Sequence, residues 1–153
     1  MKILPIKKLV CPTDFSEPSY VGLNAAIELA EHFQAEIVLL NVISPIPIIS
    51  SANDPVGYHL PAIMDQMRTA AEAKLKELIS ENVPETIRAR SIVIQGRPHV
   101  EIVRLSDKEI ADMIVIATHG ESGWHKFVFG SVTEKVVRMA SCSVLTIKEP
   151  KEK

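Results

Sequence analysis

Half of the chain's six glycines, Gly120, Gly123 and Gly130, crowd into one stretch, and the last leads directly into Ser131-Val132-Thr133-Glu134, a natural helix start. Glycine lets backbone approach a bulky anion closely, and the first turn of a helix offers unpaired N–H groups at its positive dipole end. Together such residues make a phosphate site, to which Ser131 and Thr133 add hydroxyl donors. The same residues admit a plain alternative. Ser131 and Glu134 have the Ser-x-x-Glu spacing of a capping box, which would satisfy those amides internally. Local chemistry leaves the two readings level. No lysine follows these glycines as a P-loop requires, and no G-x-G-x-x-G opens the first helix, so the two commonest nucleotide fingerprints are absent.

The elements that must position this loop are legible in the apolar pattern. Leu9-Val10-Cys11-Pro12 reads as a short strand, closed by the turn sequence Thr13-Asp14-Phe15-Ser16-Glu17-Pro18, with Ser16 as N-cap and Pro18 in the first helical turn. Leu23, Ala26, Ala30 and Phe33 then recur at helical spacing. Residues 35–42 form a branched, continuously apolar run, as in a parallel strand covered on both faces. Residues 44–61 carry five helix-breaking prolines and glycines and read as a long flexible loop, either a lid or a plain linker. A second helix follows, with Ile63, Met67, Ala71, Leu75 and Leu78 or Ile79 as a core stripe.

Residues 87–95 alternate only partly and suit a strand near a sheet edge. Gly96-Arg97-Pro98 turns into a short helix. Residues 111–117 form another buried strand, 118–129 a loop, 131–140 a helix and 143–147 a last strand, with a disordered tail over about 149–153. Five strands alternating with four helices predict right-handed crossovers and an open, doubly wound parallel sheet in a single domain spanning 1–153. Ligands of such sheets bind outside the C-terminal strand ends where strand order reverses. With strands one and four as central neighbours, Pro12-Thr13-Asp14 and the loop from Ala117 face each other there.

Bulk properties narrow the function classes. The chain has 153 residues, 46% hydrophobic and 24% charged, which is ordinary for one globular domain. A net charge of −2, with basic residues scattered among acids, argues against a nucleic-acid partner. No run of about 18 apolar residues reads as a membrane segment, and the N-terminus does not have the form of a signal peptide. Cys11 and Cys142 each sit in apolar surroundings, as small buried hydrophobes in a reducing compartment do. The expectation is a cytoplasmic protein.

Ala117-Thr118-His119-Gly120, nine residues, then Gly130-Ser131 resembles the nucleotide motif of the universal stress protein family, in its ATP-binding branch. The likeness extends from residues 10–16 through Leu40-Asn41-Val42 and Ala111-Asp112 to residues 143–147. It implies a three-layer, flavodoxin-like or Rossmann-like sheet of order 3-2-1-4-5, related to the adenine nucleotide alpha hydrolases. It also implies ATP, ADP or AMP as ligand, with any Mg or Mn held mainly by the phosphates, and a homodimer paired through the last strand. By that likeness Asp14 and the backbone near Val42 meet adenine, and Pro12 and Ile116 line its pocket. Ala117 and Gly120 lie along ribose and phosphates, while Gly130, Ser131, Val132 and Thr133 hold the phosphates. Thr13 and His119 are carried over as neighbours of the site. The family pattern has glycine where this chain has Ala117, whose methyl either crowds the ribose or fits if the backbone there stays in an ordinary strand region.

Three functions compete on these residues. The first is a nucleotide-binding regulatory or stress-response protein. The second is a weak ATPase or phosphotransferase, with Asp14 or His119 orienting a water; against it, the sequence fixes no cation on a phosphate, His125 and Lys126 being merely loop residues. The third is a nucleotide-independent dimeric interaction module using Trp124, Phe127 and Phe129, although the two phenylalanines suit ordinary core. Asp14 has its own plain role as a turn residue.

Overall fold

The computed structural model describes residues 5–46, 56–118 and 130–148, with side chains from residue 60 onward in the second stretch. Along the chain these form β1 (Lys8–Pro12), α1 (Glu17–Phe33), β2 (Glu36–Ile43), α2 (Val56–Asn82), β3 (Ala89–Gln95), α3 (Pro98–Lys108), β4 (Met113–Ala117), α4 (Ser131–Met139) and β5 (Ser143–Ile147). All pairings are parallel and the sheet order is β3-β2-β1-β4-β5. This is the doubly wound parallel sheet that the alternation of elements predicts, in the flavodoxin-like order that the family resemblance implies. β3, whose polar residues marked it as peripheral, is indeed an edge.

The central strands are apolar on both faces because each face has its own helix layer. Leu9, Cys11, Ile37, Leu39 and Val115 pack with Leu23, Ala26 and Ala30 of α1 and with Leu75 and Leu78 of α2. The alternate residues Val10, Val38, Leu40, Ile114 and Ile116 pack with Ile102 and Leu105 of α3 and Val136 of α4. Val10 sits at the middle of this arrangement, in register with Val38 on one side and Ile114 on the other. The strand period of two thus becomes two cores, and the C-terminal strand ends are left at one open edge of the sheet.

Two expectations need correction. The loop predicted over 44–61 does not reach 61, because α2 already begins at Val56 and contains Pro61 in its second turn. A proline there removes a single intrahelical hydrogen bond, which the length of the helix outweighs; residues 47–55 lie outside the described residues. The stripe on α2 is also not uniformly core. Ala71, Leu75 and Leu78 are buried, but Ile63 and Met67 are exposed. The reason is length: a helix of 27 residues runs about 40 Å, whereas the 8 residues of β2 span about 26 Å. The first turns of α2 therefore overhang the strand ends.

Residues 119–129, including the predicted site residues His119 and Gly120 and the aromatic residues Trp124, Phe127 and Phe129, lie outside the described residues, as does the tail over 149–153.

Candidate functional site

The order β2-β1-β4 places the switch point between β1 and β4, and the two segments that follow these strands meet there. The β1 end is locked by a set of buried polar contacts. Thr13 donates its amide to the carbonyl of Leu40 (2.8 Å), and the Asn41 side-chain amide donates to the carbonyl of Thr13 (2.9 Å). Ser19 Oγ donates to the Ser16 carbonyl (2.7 Å), which leaves the Thr13 hydroxyl to donate to Ser19 Oγ at 2.8 Å. Thr13, Ser19 and Asn41 are all buried. Buried polar groups of this kind are costly unless paired, so the pairing specifies one conformation of the turn.

That conformation is unusual at Phe15. Its φ of 65° is left-handed, a strained choice for a bulky side chain, and it is held by its own amide donating to Thr13 Oγ1 (3.0 Å). Asp14 precedes it as an exposed carboxylate whose Oδ1 accepts the Ser16 amide (3.0 Å) and also pairs with the Ser16 hydroxyl. The turn role expected of Asp14 is therefore real, and it holds the carboxylate at the cleft. Ser16 is the N-cap residue of α1 by position, but its side chain caps no helix amide because it is engaged with Asp14.

On the other side, Ala117 closes β4 and Gly130 opens α4. The capping-box alternative is not realised. Gly130, not Ser131, is the N-cap residue, and among the described residues no side chain caps the helix. Ser131 is thereby the first helical residue, one position too late for the box, and Glu134 instead pairs with Arg138 at 3.2 Å. The amides of Ser131, Val132 and Thr133 occupy the first turn, where helix geometry supplies no acceptor. Two of the donors named from sequence are spent internally. The Gly130 amide donates to the Thr118 carbonyl (2.6 Å), and the buried Thr133 hydroxyl donates to the Ala117 carbonyl (2.8 Å). Thr133 therefore ties α4 to β4 and keeps only its amide for a ligand.

Ala117 keeps ordinary strand geometry and is absent from the residues with positive φ. Strand alternation turns its methyl away from the α3 and α4 face, which Ile116 occupies, and toward α1. There Gly22 leaves the space: a Cβ added to Gly22 would lie 3.2 Å from the Ala117 amide nitrogen and 3.8 Å from the Ala117 methyl. The substitution that departs from the family pattern is thus absorbed between β4 and α1.

Pro12, Thr13, Asp14, Val42, Ile116, Ala117, Gly130, Ser131, Val132 and Thr133 all line one cleft of about 730 Å³. Ten of the twelve residues named from sequence are thereby brought together; the other two are His119 and Gly120. A volume of this order suits a small-molecule ligand. The cleft also takes residues that sequence reasoning passed over, among them Phe15, Asn41, Met67, Lys74 and Ile102. Asn41 was visible as the lone amide in an apolar strand. Lys74 had no such signal, since it is one of many charged residues along α2. Its Nζ lies 4.7 Å from the centre of the Phe15 ring, a cation–π contact worth about 0.5–1 kcal/mol at an exposed position.

The sequence profile described as the universal stress protein family matches residues 5–148. Universal stress protein MJ0531 of Methanocaldococcus jannaschii is 31% identical over 146 residues, 95% of this chain and 84% of that protein. Among solved structures, MJ0577 superposes with a TM-score of 0.82 at 26% identity, covering 96% of this chain and 99% of that one. A universal stress protein family member from Arabidopsis thaliana, solved with AMP bound, has a TM-score of 0.63 at 20% identity, covering 94% and 92% of the two chains.

Proposed function

As the chain belongs to the universal stress protein family, we propose that its cleft binds an adenine nucleotide, ATP, ADP or AMP, in a regulatory or stress-response role. The observation that carries this reading is the first turn of α4, which among the described residues has no side-chain cap and opens into the same cleft as the held carboxylate of Asp14 and the edge of Val42. The helix start offers backbone donors and a positive dipole end for phosphate. At the other side of the cleft, Asp14 is a hydrogen-bond acceptor suited to the exocyclic amine of adenine, between the apolar walls of Pro12 and Ile116. The relative solved with AMP supports adenine as the base. Among the described residues no three His, Cys, Asp or Glu side chains stand together as metal ligands. A Mg or Mn ion, as the family resemblance implies, would be held mainly by the phosphates.

The test is direct. Protein purified without added nucleotide is denatured and its supernatant examined for adenine nucleotide by mass and absorbance, and calorimetry measures ATP, ADP and AMP binding to nucleotide-free protein. Gly130→Val, which puts a branched side chain in the ligand's way at the entrance of α4, and Asp14→Ala, which removes one charge-assisted contact, are each expected to weaken binding about tenfold or more. Wild-type protein that carries no nucleotide and gives no binding heat rejects the reading.

We further propose a homodimer paired through β5. Every residue of this edge strand is half-buried, with Val144, Leu145 and Ile147 unusually apolar for an open edge. An edge of that composition invites pairing.

A further inference from the structure

We propose that Lys74 is a ligand-facing cation of the cleft, supplying the counter-charge for the phosphate chain of the bound nucleotide; this rests on the nucleotide reading above. Among the described residues lining the cleft, Lys74 is the one cation and Asp14 the one acid. Among the described lining residues the other positive features are backbone, at helix starts: Ser131, Val132 and Thr133 in the first turn of α4, Pro98 in that of α3 and Ser19 in that of α1. A ligand with several negative charges therefore meets positive potential from both helix layers, the start of α4 on one face of the sheet and the side-chain charge of α2 on the other.

Among the described residues no carboxylate is paired with Lys74. The long chain leaves α2 at an exposed position, one turn beyond Ala70 and Ala71, whose small side chains leave the cleft open beside it. Its ammonium rests on the Phe15 ring, and that ring is fixed by the strained left-handed turn immediately after Asp14. An aromatic face holds a cation by its quadrupole without neutralising it. The arrangement keeps the ammonium at the cleft with no carboxylate on it among the described residues, and a phosphate oxygen is a stronger partner than the ring. The unusual backbone of Phe15 thereby acquires a role as the rest for this lysine.

Calorimetry on the full chain decides the matter, using adenosine, AMP, ADP, ATP and inorganic tripolyphosphate as probes at two salt concentrations. Lys74→Met keeps the apolar stem and removes the charge, and the exposed position makes it compatible with folding, which a thermal melt verifies. The expected result is adenosine affinity within about twofold of wild type, ATP affinity lower by about tenfold, the loss of one charge-assisted contact, and a shallower salt dependence. Lys74→Arg is expected to restore most of the ATP affinity. Equal losses for adenosine and ATP, or no loss for either, would overturn the proposal while leaving the nucleotide reading intact. Wild-type binding of tripolyphosphate that is sensitive to Lys74→Met, without binding of adenosine or ATP, would sustain Lys74 and reject adenine. Binding of no probe by wild type rejects both.

Discussion

Asn41 shows how one polar side chain inside an apolar strand fixes a site on the neighbouring strand. It lies in β2, is buried, and donates to the carbonyl of Thr13, the residue that begins the turn carrying Asp14 and Phe15. Replacing it by leucine keeps the bulk but strands that carbonyl without its donor, a loss of about 1–3 kcal/mol. For a domain of this size each kcal/mol lowers Tm by about 2–4 °C, so a thermal melt is expected to fall by several degrees. Nucleotide affinity should fall with it although no proposed ligand contact has been altered. A melt unchanged from wild type would remove Asn41 from the support of the site. The two thiols make a second residue-scale prediction. Burial pushes the Cys11 thiol up to about 12, and it raises Cys142 as well, though Cys142 is only half-buried. Thiolate is the reactive form, so native protein should label at Cys142 first and slowly, with Cys11 reacting only on unfolding; peptide mapping of an alkylation time course reads this. Residue-scale legibility divides the same way. Asn41 and Asp14 stand out in sequence because each breaks a local pattern. Thr133 lines the cleft, but its bond to Ala117 depends on where β4 ends relative to α4, which spacing along the chain does not encode. Lys74 is one lysine among many until tertiary packing brings α2 over Phe15.

At the scale of elements, the strand ends opposite the cleft are held by charge. Glu109, just past α3, pairs with Lys8 of β1 (3.0 Å) and with Arg90 of β3, and Arg90 also holds Glu36 of β2 (2.7 Å). The Arg90 hydrogen bond first, and that of Lys8 second, hold the Glu109 carboxyl below the ordinary glutamate value of 4.5, while hydrogen bonds to Glu36 first and Glu109 second raise Arg90. The sign follows from linkage: a carboxyl with a depressed folded pKa contributes stability above its unfolded value and loses it as pH falls through the folded one. Wild type should therefore exceed Glu109→Gln in stability at neutral pH, by about 0.2–1 kcal/mol for each partly exposed pair. That margin should vanish as pH drops below 4.5. Denaturant titrations of both proteins across this range measure it, and a constant margin would deny the pairs any role. Element positions themselves were legible wherever apolar periodicity was strong: β1, β2, β4 and β5 emerge nearly residue for residue. The start of α2 was not, because Pro45, Pro47, Pro55, Gly57 and Pro61 read together as a loop, and only the packing of Leu75 and Leu78 farther along supplies the energy that carries a helix past Pro61.

At the scale of the molecule, the two sheet edges differ in a way that bears on assembly. β3 presents Arg90, Ser91 and Gln95 among its apolar residues, whereas β5 presents Val144, Leu145 and Ile147. Beside β5, α4 leaves Val137 and Met139 about half exposed, at 48% and 50%. A two-fold axis beside β5 would pair the strand antiparallel with its own copy, because isologous contact requires each residue to meet the symmetry-related set. The sheet would then continue across the interface, and the exposed side chains of α4 would be drawn toward it. Since Val137 and Met139 are exposed in the single chain, Val137→Glu combined with Met139→Glu leaves the two cores intact and places like charges near the junction. Light scattering on wild type is expected to give twice the chain mass of 16.9 kDa, and the double variant is expected to give the single mass with an unchanged far-ultraviolet spectrum. The cleft lies at the C-terminal strand ends, and each copy carries its own β1, β2, β4 and first turn of α4. The monomeric variant should accordingly bind nucleotide with affinity within about twofold of wild type. A wild-type mass of one chain rejects the β5 dimer. A dimer that survives the double substitution places the interface elsewhere.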